Sequence, residues 1–204
     1  SMLDPATFRV YTCCGKVIHT KCAKDLFGSK LSHETKNRCP WCRAKTVPEG
    51  SKEGIKRLRK WSQKKKPWAQ CMLAGRYAHG VGVPQDDKRA FVLYKLAADQ
   101  GHHFAQFNLG TLYATGQGVN QSDSLAFKYY QLSAIQGHAK AQYNVGICYA
   151  NGTGVDQSNT KAREWWTKAA AQGYEDAIGN LKILDKHEGR TTTTSSTTVT
   201  DNTI

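Results

Sequence analysis

AQYNVGICYANGTGVDQSNTKAREWWTKAAAQG, residues 141–173, is the stretch that decides the fold, because its pattern occurs three times along the chain. A shift of 36 residues brings identical or similar residues into register. The clearest columns are Leu73, Leu109, Val145 and Leu181; Tyr77, Tyr113 and Tyr149; Ala90, Ala126 and Ala162; Tyr94, Tyr130 and Trp166; and Gly80, Gly116 and Gly152. A fixed period of this length is typical of tandem-repeat architectures. We therefore predict a repeat array over residues 67–185.

Each repeat is predicted to form two helices. In the second repeat, Ala105, Leu109, Leu112 and Tyr113 follow helical spacing and give a first helix over residues 104–114 one apolar face. This helix ends at a Gly-x-Gly loop, where glycine tolerates a positive φ. The second helix is predicted to begin at a short polar capping residue and to stop at a glycine. The capping residues are Asp87, Asp123 and Asn159, and the stop glycines are Gly101, Gly137 and Gly173.

The repeated stretch resembles the Sel-one-like repeat family, a relative of the tetratricopeptide repeats, almost column for column. The resemblance implies an all-α fold, a right-handed αα-solenoid of about 3.5 repeats in which a half unit at residues 175–184 caps the stack. It also implies that the first helices line a concave surface, where a protein or peptide partner binds. Polar or variable positions on those helices are the predicted partner contacts: Gln70, Arg76, Gln106, Thr111 and Gln142.

Two alternatives limit what these motifs predict. Gln106 and Gln142 belong to the repeating pattern of the family, so a structural role competes with partner contact for them. The Gly-x-Gly motif does not indicate a phosphate-binding loop, because no strand precedes it and it recurs as a turn in every repeat.

Charge is distributed unevenly along the 204 residues. The whole chain has 29 Lys and Arg against 16 Asp and Glu, a net charge of +13. Residues 1–66 hold 17 of the cations and five of the acids, a net charge of +12, whereas residues 67–204 are nearly neutral. A basic surface suits nucleic acid or another anionic partner. The partition assigns that property to the front of the chain, and the neutral array suits protein recognition.

Cysteines are also concentrated at the front of the chain. The ligand candidates are Cys13, Cys14, His19, Cys22, Cys39 and Cys42, with His33 as a weaker one. Thiolate and imidazole donors in closely spaced pairs are what a tetrahedral zinc ion requires. A disulfide framework is not expected, because the first residues contain no secretory signal. We predict a zinc-binding module over residues 1–44.

The cysteine spacing resembles the second, third and fourth ligand pairs of a RING-type zinc finger, without the first pair. Either the missing pair lies upstream of a truncated chain, or a degenerate finger holds one zinc ion through four of the six ligands. RING fingers dock a ubiquitin-conjugating enzyme. The resemblance therefore implies that Pro40 and Trp41 contact that enzyme and that Arg43 steadies the transferred ubiquitin.

Residues 45–66 form a basic linker. Ile55, Leu58 and Trp61 follow helical spacing, so a short helix over residues 53–65 is expected to lay them on the first repeat as a cap. A nuclear-import signal and nucleic-acid contact are the alternatives. Only two aromatic residues accompany the charges, which does not favour nucleic acid. The basic segment comprises Lys56, Arg57, Arg59, Lys60, Lys64, Lys65 and Lys66.

The remaining parts of the chain carry weaker signals. Residues 186–204 are rich in Ser and Thr and are predicted to be disordered. Cys71 and Cys148 fall on repeat helices and are expected to be core thiols. No apolar run approaches the 18 residues of a membrane-spanning helix, so no membrane partner is predicted. The absence of a signal peptide points to a cytoplasmic or nuclear location.

Taken together, these features predict a zinc-binding adaptor. Its repeat array binds a protein partner, and its RING-like finger links that partner to ubiquitin transfer. The finger would then act as part of a RING-type ubiquitin ligase. The alternative is a non-enzymatic interaction scaffold with a purely structural zinc site. A weaker alternative is nucleic-acid binding through the basic linker. The array itself is not predicted to be an enzyme, because it has no nucleophile elbow, P-loop or paired acidic site.

Overall fold

The computed structural model describes residues 8–11, 16–19 and 50–189, the first two ranges by their backbone alone. These two ranges are the strands β1 (Phe8–Tyr11) and β2 (Lys16–His19), which pair antiparallel. Phe8 lies opposite His19 and Tyr11 lies opposite Lys16. The predicted tail lies outside the described residues from residue 190 onward.

Residues 50–189 form eight helices in an unbroken series. They are α1 (Lys52–Gln63), α2 (Pro67–His79), α3 (Asp87–Ala98), α4 (His103–Thr115), α5 (Asp123–Ile135), α6 (Ala139–Asn151), α7 (Asn159–Ala170) and α8 (Glu175–His187). Each helix packs mainly on the helix before it and the helix after it. This nearest-neighbour packing is the property that defines a solenoid. None of these helices is long and apolar enough to cross a membrane.

The Gly-x-Gly loops end the first helix of each repeat, as predicted. Gly116 caps α4 in the left-handed region, with φ 72°, and its amide donates to the carbonyl of Leu112. Gly118 has a different role, since a Cβ there would overlap the backbone of Asp87 at the start of α3. One glycine therefore turns the chain, and the other lets the loop lie against the preceding repeat.

The predicted capping column is wrong by one residue. Asp86, Ser122 and Ser158 are the N-caps of α3, α5 and α7, and their side chains accept hydrogen bonds from backbone amides. Each cap has an extended backbone, whereas the predicted residues already have helical geometry. Asp87 and Asp123 instead lie in the first helical turn, where the positive end of the helix dipole stabilises a carboxylate.

Close contact between small residues and aromatic rings holds the two helices of a repeat together. A Cβ added to Gly110 on α4 would lie 2.8 Å from Cδ1 of Tyr130 on α5. A Cβ on Gly146 of α6 would overlap the indole of Trp166 on α7. The indole has a fixed position, because its Nε1 donates to the Tyr143 carbonyl at 3.2 Å. In these two repeats the absence of a side chain lets the backbone lie directly against the ring, whereas the first repeat has Ala74 at this position.

Helix α1 packs on the first repeat as the predicted capping helix does, with Ile55 and Leu58 buried, and it also continues the repeat pattern. Its buried Gly54 and Leu58 lie 36 residues before Ala90 and Tyr94. Lys65, in the turn after α1, has a positive φ of 55°, and Gly101, 36 residues later, also has a positive φ. These residues hide the period in the sequence, because leucine replaces the aromatic ring and lysine replaces the turn glycine. The described array thus begins with a second helix, and residues 52–66 belong to it.

Helix α8 has the position of a first helix, and it ends the described array. Lys182 occupies the place of Gly110 and Gly146, so an aromatic ring of a following helix could not approach it. Arg163 on α7 forms ion pairs with two acids at the C-terminal end of α8: its Nη1 lies 2.5 Å from Asp185 Oδ1 and its Nη2 lies 2.7 Å from Glu188 Oε2. The helix runs to His187, beyond the predicted end of the array at residue 185.

Replacing Gly146 by alanine should destabilise the array by about 1–3 kcal/mol, because the new methyl group overlaps the fixed Trp166 ring. Gly179→Ala on α8 is the matched control, since a Cβ there meets nothing within 4 Å. It should stabilise by roughly 0.5–1 kcal/mol through helix propensity alone. Urea denaturation followed by circular dichroism measures both changes. Equal effects of the two substitutions would contradict the proposed contact.

Candidate protein-interaction surface

Most of the predicted zinc module lies outside the described residues. This holds for the ligand candidates Cys13, Cys14, Cys22, His33, Cys39 and Cys42 and for the predicted enzyme contacts Pro40, Trp41 and Arg43. His19 is the last residue of β2 and is described by its backbone alone. Among the described side chains, no group of three His, Cys, Asp or Glu could hold a metal ion. Zinc binding and ubiquitin transfer stay predictions.

Three of the five predicted partner contacts are buried. Gln70, Gln106 and Gln142 are 3%, 5% and 6% exposed. Gln142 on α6 donates through Nε2 to the Ala134 carbonyl at 3.2 Å and accepts from Gln172 Nε2 at 2.8 Å. It therefore joins the end of α5 to the turn after α7. The structure gives these glutamines the structural role that the sequence left open.

The same hydrogen-bonding pattern repeats along the stack. Gln106 Oε1 accepts from Gln136 Nε2 at 2.7 Å, and Gln70 Oε1 accepts from Gln100 Nε2 at 2.7 Å. A buried amide of this kind must find partners, because an unpaired one costs roughly 1–3 kcal/mol. The period of the glutamines in the sequence thus reflects the interior of the array, and we do not carry them forward as partner contacts.

The other two predicted contacts, Arg76 and Thr111, are half-buried on α2 and α4. Thr111 Oγ1 donates to the Phe107 carbonyl at 3.3 Å and lies 3.4 Å from the hydroxyl of Tyr130. Its hydroxyl thus bonds within the array. Partner contact by these two residues stays a prediction.

The two cysteines of the array have no sign of thiol chemistry. Burial raises the pKa of the Cys71 thiol to about 12. Burial likewise raises the pKa of Cys148 to about 11, with a smaller contribution from Asp123. A thiol that stays protonated at neutral pH is a poor nucleophile. These residues act as small apolar side chains in the core.

The basic segment lies on and after α1. Arg57 pairs with Glu53 one turn earlier, at 2.9 Å. The other members are exposed, namely Lys56, Arg59 and Lys60 on the helix and Lys64, Lys65 and Lys66 at its end. Ile55 and Leu58 are buried on the opposite face, and the Trp61 ring lies 6.0 Å from the Trp68 ring. The helix therefore buries one face on α2 and presents its charges to solvent.

A cleft of about 610 Å³ opens between α1 and α3 and is floored by α2. Its lining includes Arg59 and Ser62 from α1, Tyr77 from α2, and Arg89 and Val92 from α3. The sequence did not indicate this cleft, because α1 was not recognised as a repeat helix. The signal that could have found it is the 36-residue offset between Leu58 and Tyr94.

Two guanidinium groups lie beside the Tyr77 phenol in the cleft. Arg59 Nη2 lies 3.4 Å from the Tyr77 hydroxyl oxygen, and Arg89 Cζ lies 5.6 Å from the centre of the ring. Burial alone would raise the pKa of Tyr77, but the two arginines outweigh it and the pKa is lowered overall. The cleft thus has a cationic side and, along Leu73, Val92 and Leu93, an apolar one.

Gln142→Leu tests whether the buried glutamines are structural. It should destabilise the array by about 1–3 kcal/mol, because the Ala134 carbonyl and the Gln172 amide lose their buried partner. Gln117→Leu, in the exposed loop after α4, is the control and should change stability by less than about 0.5 kcal/mol. The measurement is the urea midpoint. An unchanged midpoint for Gln142→Leu would restore Gln142 as a partner contact.

The comparisons with known proteins agree with this architecture. The Sel1 repeat family model matches residues 69–102, 103–138 and 139–174. No curated protein matches the chain. A Sel1 repeat protein from Oxalobacter formigenes is 38% identical with a TM-score of 0.60, and the match covers 63% of this chain and 97% of that one.

Two further solved structures are similar to the chain. The protective antigen c5321 of uropathogenic Escherichia coli, which displays an SLR fold, is 33% identical with a TM-score of 0.68. That match covers 71% of this chain but only 31% of the longer protein. Helicobacter pylori cysteine rich protein B is 25% identical with a TM-score of 0.50, over 62% of this chain and 96% of that one. With three family units matched over more than half of its residues, the chain belongs to the Sel1 repeat family.

Proposed function

We propose that the chain is a protein-interaction scaffold whose repeat array binds a partner protein. The main support is a contrast in residue identity: a set of equivalent positions that are buried holds the same residue in every repeat, whereas a set of equivalent positions that are exposed holds different ones. The buried alanines at the start of the first helices, Ala69, Ala105, Ala141 and Ala177, are all 0% exposed and identical. The exposed column on the second helices is Val92, Lys128 and Glu164, which are apolar, cationic and anionic in turn.

This contrast separates folding from recognition. The buried columns meet the same neighbours in every repeat, so the stack requires the same residue types there. The exposed columns have no such requirement, and their chemistry differs from one repeat to the next. An extended surface with locally different charge and polarity suits the recognition of a macromolecule better than that of a small substrate. This function corresponds to the non-enzymatic interaction scaffold that the sequence left open as an alternative, and membership of the Sel1 repeat family supports it.

Photo-crosslinking tests the scaffold function. Benzoylphenylalanine placed singly at positions 79, 115 and 151, at the exposed ends of the first helices, or at 92, 128 and 164 should give discrete protein adducts in cells. The adducts should depend on position, since each site has different neighbours, and an excess of the unmodified chain should suppress them. The control position is 117 in the exposed loop. Adducts at no array position, or the same adducts at every position, would contradict a scaffold.

We also propose that a zinc module precedes the array. Support comes from the cysteine spacing and from the hairpin of β1 and β2, between which Cys13 and Cys14 fall in the sequence. Elemental analysis of the purified chain should find one or two zinc ions, lost on Cys39→Ser with Cys71→Ser as the control. A metal-free protein would overturn the module. A role in ubiquitin transfer predicts that the chain autoubiquitinates and that Arg43→Ala reduces this activity. The absence of activity with every conjugating enzyme tested would contradict this role.

A further inference from the structure

We propose that the cleft between α1 and α3 binds an acidic segment of a partner protein, in which a carboxylate side chain lies next to an apolar one. The proposal rests on the scaffold function and names the chemistry of its partner. The site lies between two second helices and includes only Leu73 and Tyr77 of the first helix α2, neither of which is among the partner contacts that the family resemblance implied. Its evidence is the charge of the cleft, its apolar lining and the different residues at the equivalent positions of the next repeat.

Two of the three cations that line the cleft, Arg59 and Lys88, have no acidic partner among the described residues. Asp86 is the one acid of the lining, and it is already engaged, since it caps α3 by accepting from the Arg89 amide at 2.9 Å. Its second oxygen lies 3.1 Å from Arg89 Nε. The cleft therefore retains a net positive charge, and its guanidinium groups can hold a carboxylate in bidentate geometry.

Apolar side chains from α2 and α3 also line the cleft, and part of this apolar surface is open to solvent. Leu73 is buried in the floor, whereas Val92 is 54% exposed. Leu93 also lines the cleft and is half-buried. An exposed valine beside a cleft of about 610 Å³ leaves apolar surface for a ligand side chain to cover. A ligand that contacts both the cations and the apolar side chains of the cleft has a carboxylate and an apolar group close together.

The next repeat has different residues at the equivalent positions. The residue 36 positions after Leu93 is Tyr129, whose ring stacks on Tyr113 with centroids 5.6 Å apart and planes 3° apart. The residue 36 positions after Arg59 is Lys95, whose Nζ lies 2.9 Å from Asp99 Oδ2. In the second repeat a ring therefore covers the tyrosine that corresponds to Tyr77, and the cation is paired with an acid. In the first cleft neither change is present.

The charge around the site favours an acidic protein segment. Lys56 and Lys60 are exposed on α1 beside Arg59, and they raise the local concentration of an anionic partner. Binding of duplex nucleic acid draws its affinity from many phosphate contacts along an extended surface. A cleft of limited size with apolar lining residues instead fits one acidic and one apolar side chain of a protein. The positive charge of α1 attracts the acidic segment toward the cleft.

Fluorescence anisotropy with the full chain tests the proposal. The probe is the fluorescein-labelled peptide Glu-Leu-Glu-Phe-Glu-Gly, compared with its neutral analogue Gln-Leu-Gln-Phe-Gln-Gly and with Glu-Ser-Glu-Ser-Glu-Gly. The first peptide should bind at least tenfold more tightly than either of the others, because only it matches both the cations and the apolar side chains of the cleft. Its Kd should rise at least tenfold in the double variant Arg59→Ala, Arg89→Ala.

Two further variants keep the test specific. Leu93→Tyr would cover Tyr77 with a ring, as Tyr129 covers Tyr113 in the next repeat, so it should weaken binding at least tenfold without lowering the urea midpoint. Lys161→Ala is the matched control, because Lys161 Nζ lies 5.2 Å from the Tyr149 ring in the position that Arg89 takes beside Tyr77. It removes one charge far from the cleft and should change the Kd by less than twofold.

Equal binding of the three peptides, or an unchanged Kd in the double variant or in Leu93→Tyr, would overturn the proposal. So would a 20-base-pair DNA duplex that binds more tightly than the peptide and loses binding in the same double variant, since the cleft would then be a phosphate site. Crosslinked adducts on the array without peptide binding would refute this site alone. The absence of adducts at every array position would refute the scaffold function as well.

Discussion

The contact between a side-chain-free helix position and an aromatic ring is the interaction on which the stack depends. At Gly146 the backbone of α6 touches the Trp166 indole, and at Gly110 the backbone of α4 touches Tyr130. Because the ring occupies the place of a Cβ, the pair fixes both the distance between the two helices and their register. In these two repeats the helices thereby form a close pair that buries its remaining apolar surface on its neighbours, whereas the first repeat has Ala74 at this position. Helix α8, the last of the described helices, has Lys182 at this position.

Buried glutamines add direction to this apolar packing. Each glutamine joins its own first helix to the turn that follows the next second helix, and Gln106 and Gln142 also reach the carbonyl of the helix before them. Hydrogen bonds of this kind are satisfied in one arrangement only, so they select the native stacking. The interior is therefore the same in every repeat. Differences in recognition are confined to the exposed columns and to the cleft at α1.

The repeat period made the architecture predictable, because identical neighbours require identical residues at the same interval. Columns such as Tyr94, Tyr130 and Trp166 gave both the helices and their core faces. The period could not tell a buried polar residue from an exposed one, which is why Gln70, Gln106 and Gln142 were proposed as partner contacts. It also failed where the chain departs from it. Leu58 and Lys65 conceal the repeat position of α1, and with it the cleft that α1 forms with α3.

Helix α1 begins the described stack in the position of a second helix and so forms one wall of a recognition cleft. Hydrogen exchange of the full chain, followed by mass spectrometry, tests this claim most directly. The amides of α1 should exchange with the same protection as those of α2, since Ile55 and Leu58 are buried in the shared core. Lys65→Gly, which relieves the positive φ of a non-glycine residue, should raise the protection of both helices together. Rapid exchange throughout α1 beside a protected α2 would contradict the claim.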